Sequence, residues 1–594
     1  MKRKERKQED IKSFKRLLGY LKPHRREFIV SIILMTFVVI VELVPPLFMA
    51  KVLELLKNSN AVGTMNKILL YLGVFILSLV VSIIIHYKQT ILLQEIGQKI
   101  VFRIRLEVFE HIEKLSIDQL NKEPVGKLVT RVMNDPDSIS EMFTSIVINL
   151  IRSIIMMIII LIILFFISIK LTLITLIIMP IILIVSYVFR KISRKSYQKI
   201  RNEISALNAF LSENLSGMKI TQIFNQEDVK REEFRIRSYE LERGFQKEIL
   251  IYAIFRPLIY LITMAGNIAI LYFGGLQVIY MILSYAILYA FNDLVDRFFN
   301  PIQQIAEEFN NLQNAYSSAD KIFGILDLEP TIKELDDAIE LKEFSGHVEF
   351  KNVWFYYLED EWVLKDVSFE VKPGETFAFV GSTGSGKTTI LSLIVRNYEI
   401  QKGEILIDGI NINKITRDSL RRHIGQMLQD VFLFNESILY NISLGNQEIT
   451  RNEVIEAANY TGANTFIDRL PDRYDHLVLE RGNNFSSGQR QLISFARAIV
   501  YKPSLLILDE ATANIDSESE EIIQASLNKI MSSQTMLIVA HRLSTIQHSD
   551  KIVVLNKGEI MEMGNHNELL NKKGWYYNLY MIQFKEDKEG KNNE

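Results

Sequence analysis

Hydrophobic positions are concentrated in the first half of the chain, in six long runs. They occupy residues 28–50, 68–87, 146–167, 171–189, 249–273 and 277–298. Each run has about the 20 residues that a helix needs to cross a bilayer. Only Ser168, Ile169 and Lys170 separate the third run from the fourth, which predicts a tight hairpin. The pattern favours six transmembrane helices over buried core helices of a soluble protein.

Basic residues are distributed unevenly among the connections between these runs. Lys and Arg are frequent before the first run, between the second and third, and between the fourth and fifth, while the other connections are short and carry few. Because positively charged connections stay in the cytoplasm, both termini and the two long connections are predicted to be cytoplasmic. We therefore expect a multi-pass protein of the cell membrane.

The two long connections, residues 88–142 and 190–248, keep helical spacing with few breakers. The transmembrane helices are therefore predicted to continue far beyond the bilayer. Each connection has one local interruption, near Ser116–Asn121 in the first and near Phe224–Asp228 in the second. Turns so far from the membrane are natural docking points for a cytoplasmic domain.

The pattern changes after about residue 346, where short Val-, Ile- and Phe-rich runs alternate with turns and helical segments. Such alternation is typical of an α/β domain with a largely parallel sheet. The chain is thus divided into a transmembrane domain (1–301), a linker (302–345), an α/β domain (346–580) and a polar tail (581–594).

Composition narrows the function classes. The 594 residues carry a formal net charge of −2, so no basic face indicates nucleic acid as a partner. The chain has no cysteine, which excludes disulfides and a cysteine nucleophile. The basic start runs into polar sequence, which argues against a cleaved signal peptide.

A glycine-rich run at 381–388 carries the clearest chemistry. It fits the pattern G-x-x-x-x-G-K-[ST], follows an apolar strand pattern at 377–380 and precedes a helical pattern at 388–395. In such a loop the backbone N–H groups hold phosphates, the lysine reaches the β- and γ-phosphates, and the hydroxyl ligates Mg²⁺. The predicted ATP-binding residues here are Gly381, Ser382, Thr383, Gly384, Ser385, Gly386, Lys387, Thr388 and Thr389.

Further motifs follow in a fixed order, and together the chain resembles a half-transporter of the ATP-binding cassette (ABC) exporter family. The resemblance covers nearly the whole chain and implies the six-helix type I/IV exporter fold fused to an α/β nucleotide-binding domain. The motifs besides the phosphate loop are Tyr357, Gln429, Glu480–Gly482, Phe485–Gln489, Asp509-Glu510, Asn514–Asp516 and His541.

The resemblance implies a role for most of these positions. Tyr357 would stack on adenine, and Asp509, Thr388 and Gln429 would hold Mg²⁺. Glu510 would be the general base for the attacking water, and His541 would contact the γ-phosphate. The expected cofactors are therefore ATP and Mg²⁺.

The signature sequence implies a dimer. In the family it begins a helix that closes over the ATP of the opposite subunit, and here it comprises Ser486, Ser487, Gly488 and Gln489. The commonest family sequence is L-S-G-G-Q, whereas this chain has Phe485 for the leucine and Ser487 for the first glycine. Because altered signatures occur in heterodimeric exporters, a heterodimer is favoured over a homodimer.

The prediction of the transported molecule rests on a few ionisable residues in the apolar runs. Glu42, Asp293 and Asp296 would form an acidic wall for amphipathic cations, or would instead pair with arginines of other helices. We expect export of small amphipathic, drug-like molecules, with membrane lipids as surroundings. A lipid or lipid-linked flippase is the alternative; a peptide exporter and an ATP-gated membrane regulator are less favoured, and six spans oppose a soluble cassette ATPase acting on ribosomes or DNA.

Overall fold

The computed structural model describes residues 15–57, 61–509, 517–531, 534–539 and 546–582. The chain divides into two compact units. The membrane unit comprises the chain up to Lys114 together with Glu123–Leu328, and the nucleotide unit comprises Leu115–Lys122 together with the chain from Glu329. The chain therefore passes between the units three times.

All regular secondary structure in the described part of the membrane unit is helical. Five stretches of the described chain are long and apolar enough to cross a membrane: Lys15–Lys57, Thr64–Lys114, Val125–Ile167, Ile169–Ser216 and Glu227–Ile279. Its helices are α1 (Arg25–Glu42), α2 (Val44–Lys57), α3 (Ala61–Lys114), α5 (Val125–Glu141), α6 (Val147–Ile167), α7 (Ile169–Ser216), α8 (Met218–Ile223), α9 (Glu227–Ile279) and α10 (Tyr285–Leu326), with α4 (Ile117–Lys122) belonging to the nucleotide unit.

The sixth predicted run, 277–298, is not one continuous helix. Helix α9 ends at Ile279 and α10 begins at Tyr285, after a turn. Helix α10 carries Asp293, Asp296 and Arg297 in its first half, which explains why it is less apolar than the other five stretches. It then continues to Leu326, so the first part of the predicted linker is helical and lies in the membrane unit.

The predicted hairpin and both predicted interruptions are present. Ser168 is extended between α6 and α7, and its hydroxyl accepts a hydrogen bond from the Leu171 N–H (3.5 Å). Short helices lie at the two interruptions, α4 after α3 and α8 after α7. Helix α7 has 48 residues and is therefore about 72 Å long, more than twice the roughly 30 Å hydrocarbon core of a bilayer.

The described residues of the nucleotide unit form two sheets. Strands β1 (Val348–Tyr356), β2 (Trp362–Val371), β4 (Lys402–Ile407) and β5 (Ile410–Asn411) form an antiparallel sheet in the order β2-β1-β4-β5. The second sheet has the order β10-β9-β3-β8-β7-β6, and only β10 is antiparallel to its neighbour. Its strands are β3 (Thr376–Val380), β6 (Ile424–Met427), β7 (Leu505–Asp509), β8 (Thr535–Val539), β9 (Lys551–Asn556) and β10 (Glu559–Gly564). The predicted largely parallel sheet is thus confirmed.

Helices complete the nucleotide unit. They are α11 (Lys387–Ile394), α12 (Arg417–Arg422), α13 (Ile438–Ser443), α14 (Arg451–Thr461), α15 (Asn464–Ile467), α16 (Ser487–Val500), α17 (Ser517–Met531) and α18 (His566–Lys572).

The six-stranded sheet separates two apolar cores. Along β3 the residues alternate between them: Ala378 and Val380 belong to one core, and Phe377 and Phe379 to the other. A strand with both faces buried reads as a continuous apolar run, as parallel strands do. Because the strands are parallel and in register, the carboxyl ends of β3, β6, β7 and β8 meet at one edge of the sheet.

Candidate nucleotide site

The phosphate loop leaves the carboxyl end of β3 and leads directly into α11. Three of its residues have positive φ: Gly381 (+152°), Gly384 (+80°) and Gly386 (+103°). A Cβ atom at Gly381 would overlap the carbonyl oxygen of Leu555, and one at Gly386 would lie 2.6 Å from a Leu364 methyl group. Glycine is therefore required at both positions for packing as well as for backbone conformation.

Lys387 begins α11 and is only 6% exposed. Its Nζ donates hydrogen bonds to the carbonyl oxygens of Gly381 (2.8 Å) and Ser382 (3.1 Å). The ammonium group is thus held across the loop, where an anion at the amino-terminal end of α11 would meet both the lysine and the helix dipole. This arrangement is suited to a phosphate chain.

Two of the three predicted Mg²⁺ ligands are in contact. The Thr388 hydroxyl donates to Asp509 Oδ1 at 3.2 Å, which joins the start of α11 to the carboxyl end of β7. Gln429 comes two residues after β6, the strand next to β7, so it lies at the same edge of the sheet. Hydroxyl, carboxylate and amide oxygens are the hard ligands that Mg²⁺ prefers, and the residues present therefore fit this ion.

Tyr357 directly follows β1 and lies beside the phosphate loop. Its hydroxyl lies 3.1 Å from Thr389 Oγ1, and its ring packs edge-to-face against Phe355 and Tyr398. Partial burial raises the pKa of the Tyr357 phenol, so the group stays protonated at neutral pH. The side chain is still 43% exposed, which leaves aromatic surface on which a base can stack.

The signature residues form the amino-terminal end of α16. Phe485 is buried against Phe466 and His476, and Ser486 is the N-cap residue. The Ser486 hydroxyl accepts from the Gln489 N–H (3.2 Å), and Gln489 Oε1 accepts from the Ser486 N–H (3.0 Å). This reciprocal capping box fixes where the helix begins.

Ser487 is the first residue of α16, and Gly488 is buried in its first turn. Ser487 is not among the residues with positive φ, so its backbone does not require glycine. The exchange of glycine for serine therefore adds a side chain at the helix terminus without adding backbone strain.

Two contact networks in the nucleotide unit were not predicted from the sequence. Arg490 Nη1 donates to the carbonyls of Phe485 (2.8 Å) and Gly482 (3.3 Å), which ties the turn before the signature to α16. Its position directly after the signature is the one hint that the sequence offers.

The second network holds α4 against residues 329–332 by hydrogen bonds. Gln119 Nε2 donates to the Glu329 carbonyl (2.9 Å), and the Thr331 N–H donates to Gln119 Oε1 (3.3 Å). The Ile332 N–H donates to Ser116 Oγ (3.1 Å). At the end of α4, Asn121 Nδ2 lies 3.4 Å from the Tyr398 hydroxyl, and Tyr398 packs against Tyr357. A chain of contacts therefore joins α4 to the candidate adenine position.

Glu510 and His541 lie outside the described residues. Their predicted roles as general base and γ-phosphate contact remain predictions. In the chain, Glu510 follows the last residue of β7, and His541 follows β8 by two residues.

The three acidic residues of the predicted cargo cavity all have partners. Arg152 Nη2 donates to Glu42 Oε1 at 2.5 Å, and Arg297 Nη1 donates to the Glu42 carbonyl at 3.2 Å. Arg297 Nε also pairs with Asp293 (2.9 Å). Asp296 accepts a hydrogen bond from the Asn267 amide (2.8 Å). The contact of Glu42 supports pairing with an arginine of another helix, whereas Asp293 pairs within its own helix and Asp296 contacts a neutral amide.

Comparisons with known proteins agree with this architecture. Residues 28–302 match the family described as ABC transporter transmembrane region, and residues 364–513 match the family described as ABC transporter. The chain is 39% identical over 511 residues to the Bacillus subtilis protein named "Probable multidrug resistance ABC transporter ATP-binding/permease protein YheH", a match that covers 85% of this chain and 75% of that protein.

A second relative and a solved structure cover more of the chain. The Syntrophus aciditrophicus protein named "ATP-dependent lipid A-core flippase" is 35% identical over 97% of this chain and 95% of its own length. The structure described as "Structure of a bacterial Atm1-family ABC exporter with ATP bound" superposes with a TM-score of 0.78 at 25% identity, over 95% of this chain and 98% of that one. This chain therefore belongs to the ABC transporter family, as a multi-pass membrane exporter that binds and hydrolyses ATP.

Proposed function

We propose that this chain is one half of a dimeric exporter that uses ATP and Mg²⁺ to move amphipathic molecules across the cell membrane by alternating access. The observation that carries the proposal is the Thr388–Asp509 contact beside a lysine-bridged phosphate loop, in a chain that also has its own membrane unit. The nucleotide unit and the ends of α3 and α7 that approach α4 and α8 would be cytoplasmic, as the distribution of Lys and Arg indicates.

Each site residue has a proposed task. The loop N–H groups and Lys387 would bind the phosphates, and Thr388, Asp509 and Gln429 would hold Mg²⁺, which supplies charge neutralisation when bound. Glu510 would orient and deprotonate the attacking water, and His541 would hold the γ-phosphate in register. Tyr357 would stack on adenine.

Exporters of this fold act as dimers, and we propose a heterodimer before a homodimer. The altered signature, with Ser487 at the end of α16, supports this choice because the end of that helix would approach a phosphate held by the other subunit. A serine side chain there occupies space that glycine leaves open. Since it causes no backbone strain, its effect would fall on the partner's site rather than on the folding of this chain.

The cargo proposal is a drug-like amphipathic molecule, with a lipid as the second candidate. The named relatives include one of each kind, a multidrug resistance transporter and a lipid A-core flippase. The ion pairs of Glu42 with Arg152 and of Asp293 with Arg297 argue against cation selectivity at these two carboxylates. Asp296 is hydrogen-bonded to the neutral Asn267 amide and keeps its charge.

The test is transport in proteoliposomes, with the chain alone and with a candidate second half-transporter. ATP-driven movement of fluorescent amphipathic dyes or of a tail-labelled lipid is expected, and chelation of Mg²⁺ should stop it. Glu510→Gln should retain ATP binding but lower hydrolysis by about 10²-fold or more, the loss typical of a missing general base. Normal turnover in that variant would refute the assignment of Glu510, and ATP hydrolysis without movement of any amphipathic probe would refute the export proposal.

A further inference from the structure

A polar cavity of about 160 Å³ lies within the membrane unit, between α1, α3 and the start of α6. Eight of its twelve lining residues are polar, among them His86, Gln89, Gln94, Thr144 and Asn149. Polar groups inside a membrane protein are costly and usually mark a functional path. This cavity is therefore a candidate binding site, which we call the Gln89 pocket.

Gln89 is the strongest single indication of a ligand. Its side chain is only 5% exposed, it lines the pocket, and its amide makes no hydrogen bond to any described residue. A carboxamide that lines a cavity and has no protein partner can be satisfied by water or by a ligand. Because an amide offers both donors and an acceptor, a ligand group that both donates and accepts matches it best.

The backbone at the pocket is unusual in the same place. Residues Met142–Ile146 form a π-helical turn, and Thr144 and Ser145 of this turn line the pocket. Short π turns within helices occur frequently at functional sites. Just below, a Cβ atom at Gly97 would lie 2.5 Å from Ser140 Oγ and from a Thr144 methyl group, so α3 and the π turn are in close contact there.

The charge in the pocket is balanced. Arg152 lines it, but its guanidinium is paired with Glu42 at 2.5 Å. Asn149 Nδ2 is used by Glu308 (2.8 Å). The Thr90 and Thr144 hydroxyls donate to the carbonyls of His86 (2.9 Å) and Ser140 (3.1 Å), so towards a ligand they can only accept. The Gln89 and Gln94 carboxamides can both donate and accept, and the His86 ring also lines the pocket. This set suits an uncharged, hydroxyl-rich group better than an anion or a cation.

The position along the helices suggests how the rest of the ligand lies. Gln89 follows the predicted second span, 68–87, by two residues, while Asn149 and Arg152 lie near the beginning of the third, 146–167. The pocket is therefore at the predicted cytoplasmic end of both spans, at the depth of lipid headgroups. Apolar side chains of α3 such as Val80, Ile83 and Ile84 are exposed towards the membrane side of it.

We propose that the Gln89 pocket binds the uncharged, hydroxyl-rich headgroup of an amphipathic cargo, such as a glycosylated lipid, while its apolar part lies along α3. This inference rests on the proposed export function and names the polar end of its cargo. It assigns a selecting role to Gln89 and to the hydroxyl groups of the π turn.

The test uses the natural absence of cysteine. Thr90→Cys places a thiol at the pocket, and Gln98→Cys places one on the exposed surface of the same helix as a control. Three probes with one tail-labelled diacylglycerol and different headgroups are compared: glucosyl (uncharged), phosphatidylglycerol (anionic) and trimethylammonium (cationic). The glucosyl probe is expected to slow maleimide labelling of Thr90→Cys at least fivefold, without effect on Gln98→Cys.

A matched pair of variants gives the functional readout. Gln89→Leu should raise the concentration of glucosyl probe needed for half-maximal ATPase stimulation by about five- to tenfold, as expected for loss of a hydrogen bond to the ligand. Gln98→Leu should leave it unchanged, and Gln89→Asn should fall between. Thermal unfolding of each variant separates a loss of binding from a loss of folding.

The outcomes distinguish the two proposals. Protection by a charged probe but not by the glucosyl probe, or equal sensitivity of Gln89→Leu and Gln98→Leu, would overturn the pocket assignment even if dyes are exported. Absence of ATP-driven movement of every amphipathic probe would overturn the export function, while the labelling experiment would still report binding.

Discussion

The two short helices at the interruptions of the long helical connections, α4 and α8, differ in their surroundings. Helix α4 is held to residues 329–332 because Gln119 donates to the Glu329 carbonyl and accepts from the Thr331 N–H, while Ser116, just before the helix, accepts from the Ile332 N–H. At the end of α8, Ile220, Ile223 and Phe224 are 64%, 63% and 67% exposed. Apolar groups this exposed at a defined turn are typical of an interaction site.

The contact surface of α4, which we call its seat, lies in the same polypeptide. It consists of hydrogen bonds to backbone groups of residues 329–332. If the chain acts in a dimer, as proposed above, the exposed apolar end of α8 is expected to contact the second subunit.

The largest effect is expected at the end of α8. Phe224→Asp places a charge in the proposed apolar contact and should lower cargo-stimulated ATPase activity and transport at least tenfold, because burial of an unpaired carboxylate is strongly unfavourable. ATP binding measured by equilibrium titration should persist. Ile236→Asp, on the exposed surface of α9, is the matched control. Equal activity of Phe224→Asp and wild type would refute an apolar seat for α8.

A smaller effect is expected at α4. Gln119→Ala removes two hydrogen bonds to the 329–332 segment and should weaken the seating of α4 by about 1–2 kcal/mol, a factor of roughly 5–30 in local opening. Hydrogen exchange of residues 115–122 measures this opening directly. Lys122→Ala, which removes a pair with Asp118 on the same helix, should not accelerate exchange comparably. If both variants exchange alike, Gln119 does not seat the helix.

A third effect concerns the signature, the other surface that would face the partner. Ser487→Gly should increase ATPase activity of the assembled heterodimer by about two- to threefold, since each 1.4 kcal/mol of barrier changes a rate tenfold and the change is one small side chain. It should leave the activity of the chain alone unchanged. A strong rise in the isolated chain would instead favour a homodimer.

The smallest effect is expected at the contact between α4 and the aromatic cluster. Tyr398→Phe removes a hydroxyl whose hydrogen bond to Asn121 is long, at 3.4 Å, and keeps the ring contact with Tyr357. Cargo stimulation of ATPase activity should fall less than twofold, whereas Tyr398→Ala should weaken ATP binding as well because Tyr357 loses its packing. If Tyr398→Ala leaves ATP affinity unchanged, the contact of Tyr398 with Tyr357 does not contribute to nucleotide binding.

Sequence reasoning was most successful where function fixes the spacing of residues. The phosphate loop could be placed on a strand–loop–helix unit because Gly381 and Gly386 are needed for backbone geometry and Lys387 has a fixed distance from them. The hairpin at Ser168 could be placed because only three residues separate two apolar runs. In both cases the determining residues are neighbours in the chain.

Contacts between distant residues could not be predicted in this way. Glu42 and Arg152 are 110 residues apart, and Gln119 and Glu329 are 210 residues apart. No local pattern encodes which arginine faces which carboxylate on another helix. The sixth span was predicted as one run because its apolar residues continue across 280–284, yet the turn there separates α9 from α10.

Because the chain passes between the two units three times, the nucleotide unit is not one continuous segment that can be exchanged on its own. A fragment that begins at Glu329 would lack α4, so the Ile332 N–H and the Glu329 carbonyl would lose their side-chain partners. In chimaeras, and in recombination between related genes, a nucleotide-binding domain is therefore inherited intact only if residues 115–122 are exchanged with it. The two gene segments that encode residues 115–122 and the chain from Glu329 would then have to be exchanged together.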